Sequence, residues 1–378
     1  MKRVDILVVG GGIAGVSAAA LFAQRARTIL LERESALGYH SSGRSATFYH
    51  FGIGDDVVRG LTAASRFFFA DPPGAQEGPP LSQTKPALFI STSETMRELA
   101  ALEAEMRRFS NSISRVGPAD MQAIVPALKV GSKGAVAGLV DTAGRKLDAD
   151  LLLQTNARAL RGAGGEIVFN AGVTSIARDR GDWIVHTADE CYAAPVVVNA
   201  AGAWADELAL LAGVRPLGLM PLRRTIIGFD PPPGMDVSGW PFLKTVYDDG
   251  FYMLPDAGRL LASPMDVTPS PPSDAMPDDY EMALAAWRVE QATTLSVDRI
   301  AAKWAGLRSF VADKVPTAGF ALDAPGFFWL AGQGGYGLQT SPAMALAAEA
   351  LLFDLPWPVL LFEHGVEQQH IRPERLSA

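Results

Sequence analysis

Gly10, Gly12 and Gly15 form a G-x-G-x-x-G turn between the apolar run Val4 to Val9 and a small-residue stretch beginning at Ile13, and Glu32 closes the next apolar run. Residues of these types at this spacing can hold a dinucleotide. The first glycine permits a tight turn, the second lets the backbone approach a pyrophosphate, and the third brings helix against strand. The helix N-terminus offers free N–H groups and a partial positive charge to the phosphates. Glu32 stands where an acid accepts bonds from an adenosine ribose. NAD and FAD carry the same ADP half, so this unit leaves the choice between them open.

Two further stretches have compositions that could enclose a redox ring. "GYHSSGRSATFYHFGIG", residues 38–54, surrounds a run of small residues with two histidines, two tyrosines, two phenylalanines and an arginine. "AGQGGYGLQTSPAM", residues 331–344, is a glycine-rich turn in which Ser341 and Pro342 are predicted to open a helix as N-cap and first-turn residue. Gly334, Gly335 and Gly337 before it allow close backbone approach, and a positive helix end suits a ring that gains negative charge on reduction. Arg224 in "LRRTIIGF" and Arg308 in "AGLRSF" sit among apolar neighbours. A buried guanidinium needs an anion, and either a structural Asp or Glu or the planar carboxylate of a substrate supplies one.

These groups need a framework. Val4 to Val9 reads as a buried parallel strand and Ile13 to Gln24 as a close-packing helix. Residues 93–109 read as an amphipathic helix, "GPADMQAIVPAL" as a shorter helical turn, and residues 148–162 as another helix. "GGEIVFNAGVTSIARDRGDWIVHT" alternates as short strands with a turn at "DRGD", while "APVVVNAAGAW" and Phe327 to Leu330 return to buried strands. "DPPPGM" and "PSPPSD" mark surface loops. With 378 residues, 48% of them apolar, the chain has room for two domains and a large core.

A net charge of −8 without a long basic run argues against a nucleic-acid surface. The single cysteine, Cys191, allows no intramolecular disulfide and fits a cytoplasmic location. Five scattered histidines show no metal-ligand spacing, so no metal is expected. "MKR" runs directly into the first strand rather than into a signal peptide. "LLFDLPWPVLLF" is interrupted by Asp354, Pro356 and Pro358 and falls short of the ~20 apolar residues of a spanning helix.

The quoted segments, with "LERE", "LTAASR", "VNAAGAWADELA", "LAGVRPLGL" and "WAGLRSFVADKVPTAGF", resemble the D-amino-acid-oxidase superfamily of FAD enzymes, and within it the bacterial D-arginine dehydrogenases. They run in the family's order along nearly the whole chain. The resemblance implies an α/β fold: a discontinuous Rossmann-like FAD domain, residues 1–79 with 147–213 and 306–378, interleaved with an α+β substrate domain on a mixed sheet, residues 80–146 with 214–305. It implies FAD contacts from Gly10, Gly12, Ile13, Ala14 and Gly15, from Glu32 and Arg33, and from His40, Ser41, Ser42, Gly43, Arg44, Ser45 and Ala46. Further contacts come from Val173, Ala201, Gly202 and Trp204, and from Gly334, Gly335, Tyr336, Gly337, Leu338, Gln339 and Thr340. It makes Arg224 and Arg308 a carboxylate clamp with Tyr252 as third contact, and gives the substrate's α-amine to Gln339 and the Gly335 backbone. The implied reaction is hydride transfer from the Cα of a D-amino acid to flavin N5, giving an imine that water hydrolyses to a 2-oxo acid and ammonia.

Thr47 to Gly54 falls on that family's mobile lid, with Gly52 and Gly54 as hinges and His50 within it. The chain departs from the arginine enzymes at three pocket positions: Phe48 replaces a histidine, Ile53 the lid tyrosine, and Ala87 the glutamate that pairs with the guanidinium. A cationic side chain would exchange water for an apolar pocket, so neutral, apolar side chains are expected. Oxidation of an N-alkyl glycine or a 2-hydroxy acid would use the same clamp. An FAD-dependent tRNA-modifying protein is a third reading, which the acidic net charge disfavours. The expected partners are a small-molecule amino acid and oxygen or a quinone-like carrier, and the expected state is a monomer or homodimer.

Overall fold

The structure is a computed structural model that describes residues 1–70 and 79–376. Residues 71–78, at the end of the first segment assigned to the cofactor domain, lie outside the described residues.

Strands Ile6–Val9, Thr28–Leu31, Val196–Asn199 and Phe327–Ala331 are apolar almost without interruption because both faces of their sheet are covered. With Glu166–Val168 and Thr317–Phe320 they form a six-stranded sheet, parallel except for the last strand. Alternation sorts the side chains. Ile6, Val8, Leu30 and Val198 join the core shared with helices Ile13–Phe22, Ala149–Gly162 and Gly337–Leu352. Leu7, Val9, Ile29, Leu31 and Val197 face a four-stranded sheet built from Lys2–Arg3, Cys191–Ala194, Asp182–Thr187 and Val173–Asp179. The turn at "DRGD" has Arg180 and Gly181 at φ 50° and 96°, as a tight hairpin requires.

A nine-stranded mixed sheet forms the second layer system. Its strands run in the order Thr268–Pro269, Met220–Phe229, Arg259–Ser263, Tyr252–Asp256, Phe242–Thr245, Ala87–Ser91, Ala137–Asp141 and Ile113–Val116, and Ile300–Phe310 pairs along Met220–Phe229. Leu88, Ile90, Ile227, Leu243 and Met253 pack on one face with helix Asp279–Ala292. Ala87, Phe89, Ile226, Phe242 and Tyr252 point the other way, into the core that the cofactor-side helices share. A small sheet of Phe48–Tyr49, Arg145–Leu147 and Ser82–Thr84 bridges the two systems. Among the described residues no helix is long and apolar enough to cross a membrane.

One predicted boundary moves. The helix expected to open at Ser341 begins at Gly337, so Pro342 lies inside it. Proline lacks the N–H that would donate to the Leu338 carbonyl. The Ser341 hydroxyl donates to that carbonyl instead, at 3.0 Å, and Ala343 N–H reaches Ser65 Oγ at 3.2 Å.

Candidate active site

The glycine turn is fixed by sterics. Gly10 has φ 114°, and a Cβ there would lie 2.3 Å from the Ala200 carbonyl oxygen. A Cβ on Gly15 would lie 1.9 Å from the Gly10 carbonyl oxygen, so helix and strand meet only if both are glycine. Ser42 Oγ accepts the Ile13 N–H at 3.0 Å, which ties the helix start to the segment 40–46. Glu32 is buried and accepts one N–H at each oxygen, from Gly11 at 2.6 Å and from Glu34 at 2.8 Å. Arg33 places its guanidinium 4.1 Å over the Trp204 ring, and the His40 ring lies 4.6 Å from the same indole. Val173 opens a strand nearby, and Gly202 turns the chain between Ala201 and Trp204 with φ 57°.

The segment 40–46 is bolted to strand Ile300–Phe310. Ser41 Oγ donates to the Leu307 carbonyl at 2.5 Å, and Trp304 Nε1 donates to the Arg44 carbonyl at 3.0 Å. Arg44 itself donates to the Ala275 and Ala305 carbonyls and pairs with Asp274, from the loop "PSPPSD". Gly306 faces this segment, where a Cβ would stand 3.4 Å from Arg44 Cβ. Ser41 and Gly43 remain exposed.

Arg224 and Arg308 share one face of the nine-stranded sheet, because Arg224 is opposite Gly306 and Leu222 is opposite Arg308. Arg224 donates from Nε to the Asp266 carbonyl at 2.8 Å and lies 3.6 Å from the Asp266 carboxylate. Arg308 has no carboxylate within 4.0 Å among the described residues; its neighbours are the Phe310 ring and Gly335. A Cβ on Gly335 would lie 1.7 Å from Arg308 Nη2. Burial, then the charge of Arg224, pulls the Arg308 pKa down to about 9. Tyr252 lies beside Arg224 and favours its charged form.

Aromatic rings extend the same face. Phe242 stacks on Phe48 at 4.7 Å, on His50 at 4.9 Å and on Tyr252 at 5.5 Å, with Ala87 directly opposite Phe242 on the next strand. Ile53 packs with Phe310 and Tyr336. The His50 Nδ1 accepts the Gly52 N–H at 3.0 Å, which leaves the proton on Nε2. Burial and the nearby cations Lys244, Arg59 and Arg308 push its pKa down to about 3, so the ring is neutral.

Gln339 was expected to receive an amine. Its Nε2 donates to the His50 carbonyl at 3.2 Å and Thr62 Oγ1 at 2.8 Å, and its Oε1, the atom to which an amine N–H would donate, accepts the His50 N–H at 3.3 Å. These bonds also hold the His50 backbone. In the segment Thr47 to Gly54, expected to be a lid on two glycine hinges, Tyr49, His50, Phe51 and Gly52 are buried and Gly54 is exposed with φ 79°. Tyr49 and Phe51 pack against Phe69 and Phe109, and a Cβ on Gly52 would lie 2.2 Å from the Phe89 ring, so packing demands that glycine.

Three residues were missed from the sequence. Asp266 partners Arg224 from a loop far along the chain. Gln333, in the glycine turn, has a buried Nε2 with no partner among the described residues. Lys244, in "WPFLKTV", occupies the site's sheet face two residues after Phe242. A charge breaking an apolar strand was the available signal.

The FAD dependent oxidoreductase family model, DAO, matches residues 5–351. The chain belongs to this family. L-alpha-glycerophosphate oxidase from Mycoplasma pneumoniae, in a dithionite-reduced structure with FAD bound, is similar with a TM-score of 0.85 at 20% identity, over 93% of this chain and 95% of that one. L-proline dehydrogenase from P. horikoshii gives 0.81 at 19% identity over 97% and 99%, and glycine oxidase from Geobacillus kaustophilus 0.77 at 20% over 94% and 96%. At these identities the likeness is one of fold. The cofactor of this FAD dependent oxidoreductase is FAD. The residues fit it: the turn at Gly10 to Gly15 admits no side chain at its two closest approaches, and the glycine turn 332–337 carries the orphaned Gln333 amide.

Proposed function

We propose that this oxidoreductase deaminates D-amino acids oxidatively to 2-oxo acids and ammonia through an imine. The observation that carries the reading is Arg308: a guanidinium surrounded by protein, facing Arg224, with no carboxylate of the described residues beside it. A substrate carboxylate completes that arrangement. Arg308 and Arg224 hold its oxygens by charge-assisted bonds, with the Tyr252 hydroxyl at the Arg224 side. Asp266 orients Arg224 and offsets part of its charge. The Gly335 backbone, in contact with Arg308, meets the amine on the same side. The ladder of Phe48, His50, Phe242 and Tyr252 packs the substrate's carbon stem and excludes water. Bound FAD supplies the acceptor for the hydride leaving Cα. An amine arriving unprotonated needs no side-chain base, so orientation of Cα is the main contribution of these residues.

Two of the structural neighbours are named for oxidising glycine and L-proline, which accords with an amino acid held by its carboxylate. The proposed domain division, residues 1–79, 147–213 and 306–378 against 80–146 and 214–305, assigns the six-stranded sheet to the cofactor and most of the nine-stranded sheet to the substrate. The test is flavin bleaching without oxygen across D-, L- and N-methyl amino acids and 2-hydroxy acids. Bleaching by D-amino acids with release of ammonia is expected. Bleaching by lactate or sarcosine alone would replace this reading with oxidation of 2-hydroxy acids or N-alkyl glycines.

A further inference from the structure

Lys244 is a third cation on the face that carries the two arginines, and the reaction proposed above gives it no work. It stands opposite Tyr252 on one neighbouring strand and Phe89 on the other. Strand alternation places it on the side of Phe242, whose ring touches Phe48, His50 and Tyr252. The ammonium donates to the Thr245 carbonyl at 3.3 Å, and no carboxylate of the described residues lies within 4.0 Å of it. The charged groups that act on it are Arg224, Arg308 and the exposed Asp248, in the turn after its own strand; His50 is neutral. Burial pulls its pKa down to about 8, Asp248 holds it up, and the two arginines lower it further.

A lysine kept for stability snorkels to water or takes a carboxylate partner. Lys244 is half-buried on the aromatic face, has no such carboxylate among the described residues, and spends one weak bond of a possible three. An ammonium held this way among aromatic rings is costly until an anion reaches it. The arginine pair already accounts for one carboxylate of the substrate. We propose that Lys244 determines specificity by receiving a second carboxylate, at the end of the substrate's side chain, so that the pocket selects acidic amino acids of the D-glutamate or D-aspartate type. This revises the expectation of neutral side chains drawn from Phe48, Ile53 and Ala87. Those residues remove the counter-charge for a cationic substrate, and Lys244 adds a charge that favours an anionic one. The inference rests on the reading of Arg224 and Arg308 as the clamp for the first carboxylate.

Binding and turnover separate the two. Glutarate and butyrate are titrated into the FAD-loaded protein, wild type, Lys244→Met and Lys244→Arg, with the flavin absorbance as readout. Wild type should bind glutarate roughly tenfold or more tightly than butyrate, Lys244→Met should lose that preference without weakening butyrate, and Lys244→Arg should keep much of it. Glutarate binding no tighter than butyrate, or weakened equally with butyrate in Lys244→Met, overturns the proposal. D-Glutamate and D-glutamine are then compared as reductants. If neither bleaches the flavin while the glutarate preference still depends on Lys244, the deamination reading fails and the second-carboxylate site stands.

Discussion

Arg224 and Arg308 are diagonal neighbours on antiparallel strands, two positions out of register, and among the described residues only Arg224 has a carboxylate within 4.0 Å. The pair is therefore asymmetric: one guanidinium is part of the fold's own ion pairing, and the other, on the proposed reading, is held for the substrate carboxylate.

That asymmetry separates two variants. Arg308→Met should lower kcat/KM at least about tenfold by removing a charge-assisted bond of about 1.5–3 kcal/mol, while leaving thermal stability unchanged or raised because a buried like-charge contact is relieved. Arg224→Met should lower kcat/KM too, but should also cost about 3 kcal/mol of stability, because the Asp266 carboxylate, 4% exposed, loses its partner. Steady-state kinetics and denaturant unfolding on both variants check this. Equal destabilisation by the two substitutions contradicts it.

Gly335→Ala tests the clamp without touching an arginine. The new methyl would lie 1.7 Å from Arg308 Nη2 and 2.2 Å from its Cζ and Nε, so the whole guanidinium must move, while the backbone there is free of positive φ. The guanidinium should swing aside, giving a fall of about tenfold or more in kcat/KM with FAD content and melting temperature preserved. Loss of FAD together with activity would instead place Gly335 in the cofactor's support.

His50 links the site to acid stability. Its folded pKa, about 3, lies below the ordinary value of 6.5, so the unfolded chain takes up a proton that the folded chain refuses. The stability this neutral ring contributes is present above pH 6.5 and lost as pH falls toward 3, at no more than about 1.4 kcal/mol per pH unit. His50→Asn keeps an acceptor for the Gly52 N–H and removes the titration. Unfolding curves of wild type and variant should run parallel above pH 7 and converge or cross between pH 6 and 4. Curves that stay parallel throughout would show that the ring ionises as freely folded as unfolded.

The cofactor turn was legible because its signals are local. Strand, glycine spacing and Glu32 all lie within the first 32 residues, and each follows from backbone sterics. The proposed substrate face was legible only in part. Arg224 and Arg308 stood out as charges in apolar runs, but Asp266 and Lys244 enter through strand register and loop placement, which no short window contains. Pro342 misled because a proline usually starts a helix, and nothing local reveals that Ser341 and Ser65 would satisfy the groups it leaves unpaired. In the segment Thr47 to Gly54 the ring packing is what no local pattern shows: Tyr49 and Phe51 meet Phe69 and Phe109, from helix Asp56–Ala70 and the end of a later helix, and Gly52 makes room for the Phe89 ring.

The bonds from Ser41 and Arg44 to strand Ile300–Phe310 tie the loop proposed to contact the dinucleotide to the strand that carries Arg308, two positions beyond Gly306. Any coupling of cofactor to substrate through that strand would be felt equally by both, since equilibrium coupling between two ligands is reciprocal. Selection for tighter retention of the prosthetic group and selection for a different acid would then act on the same eleven-residue β-strand.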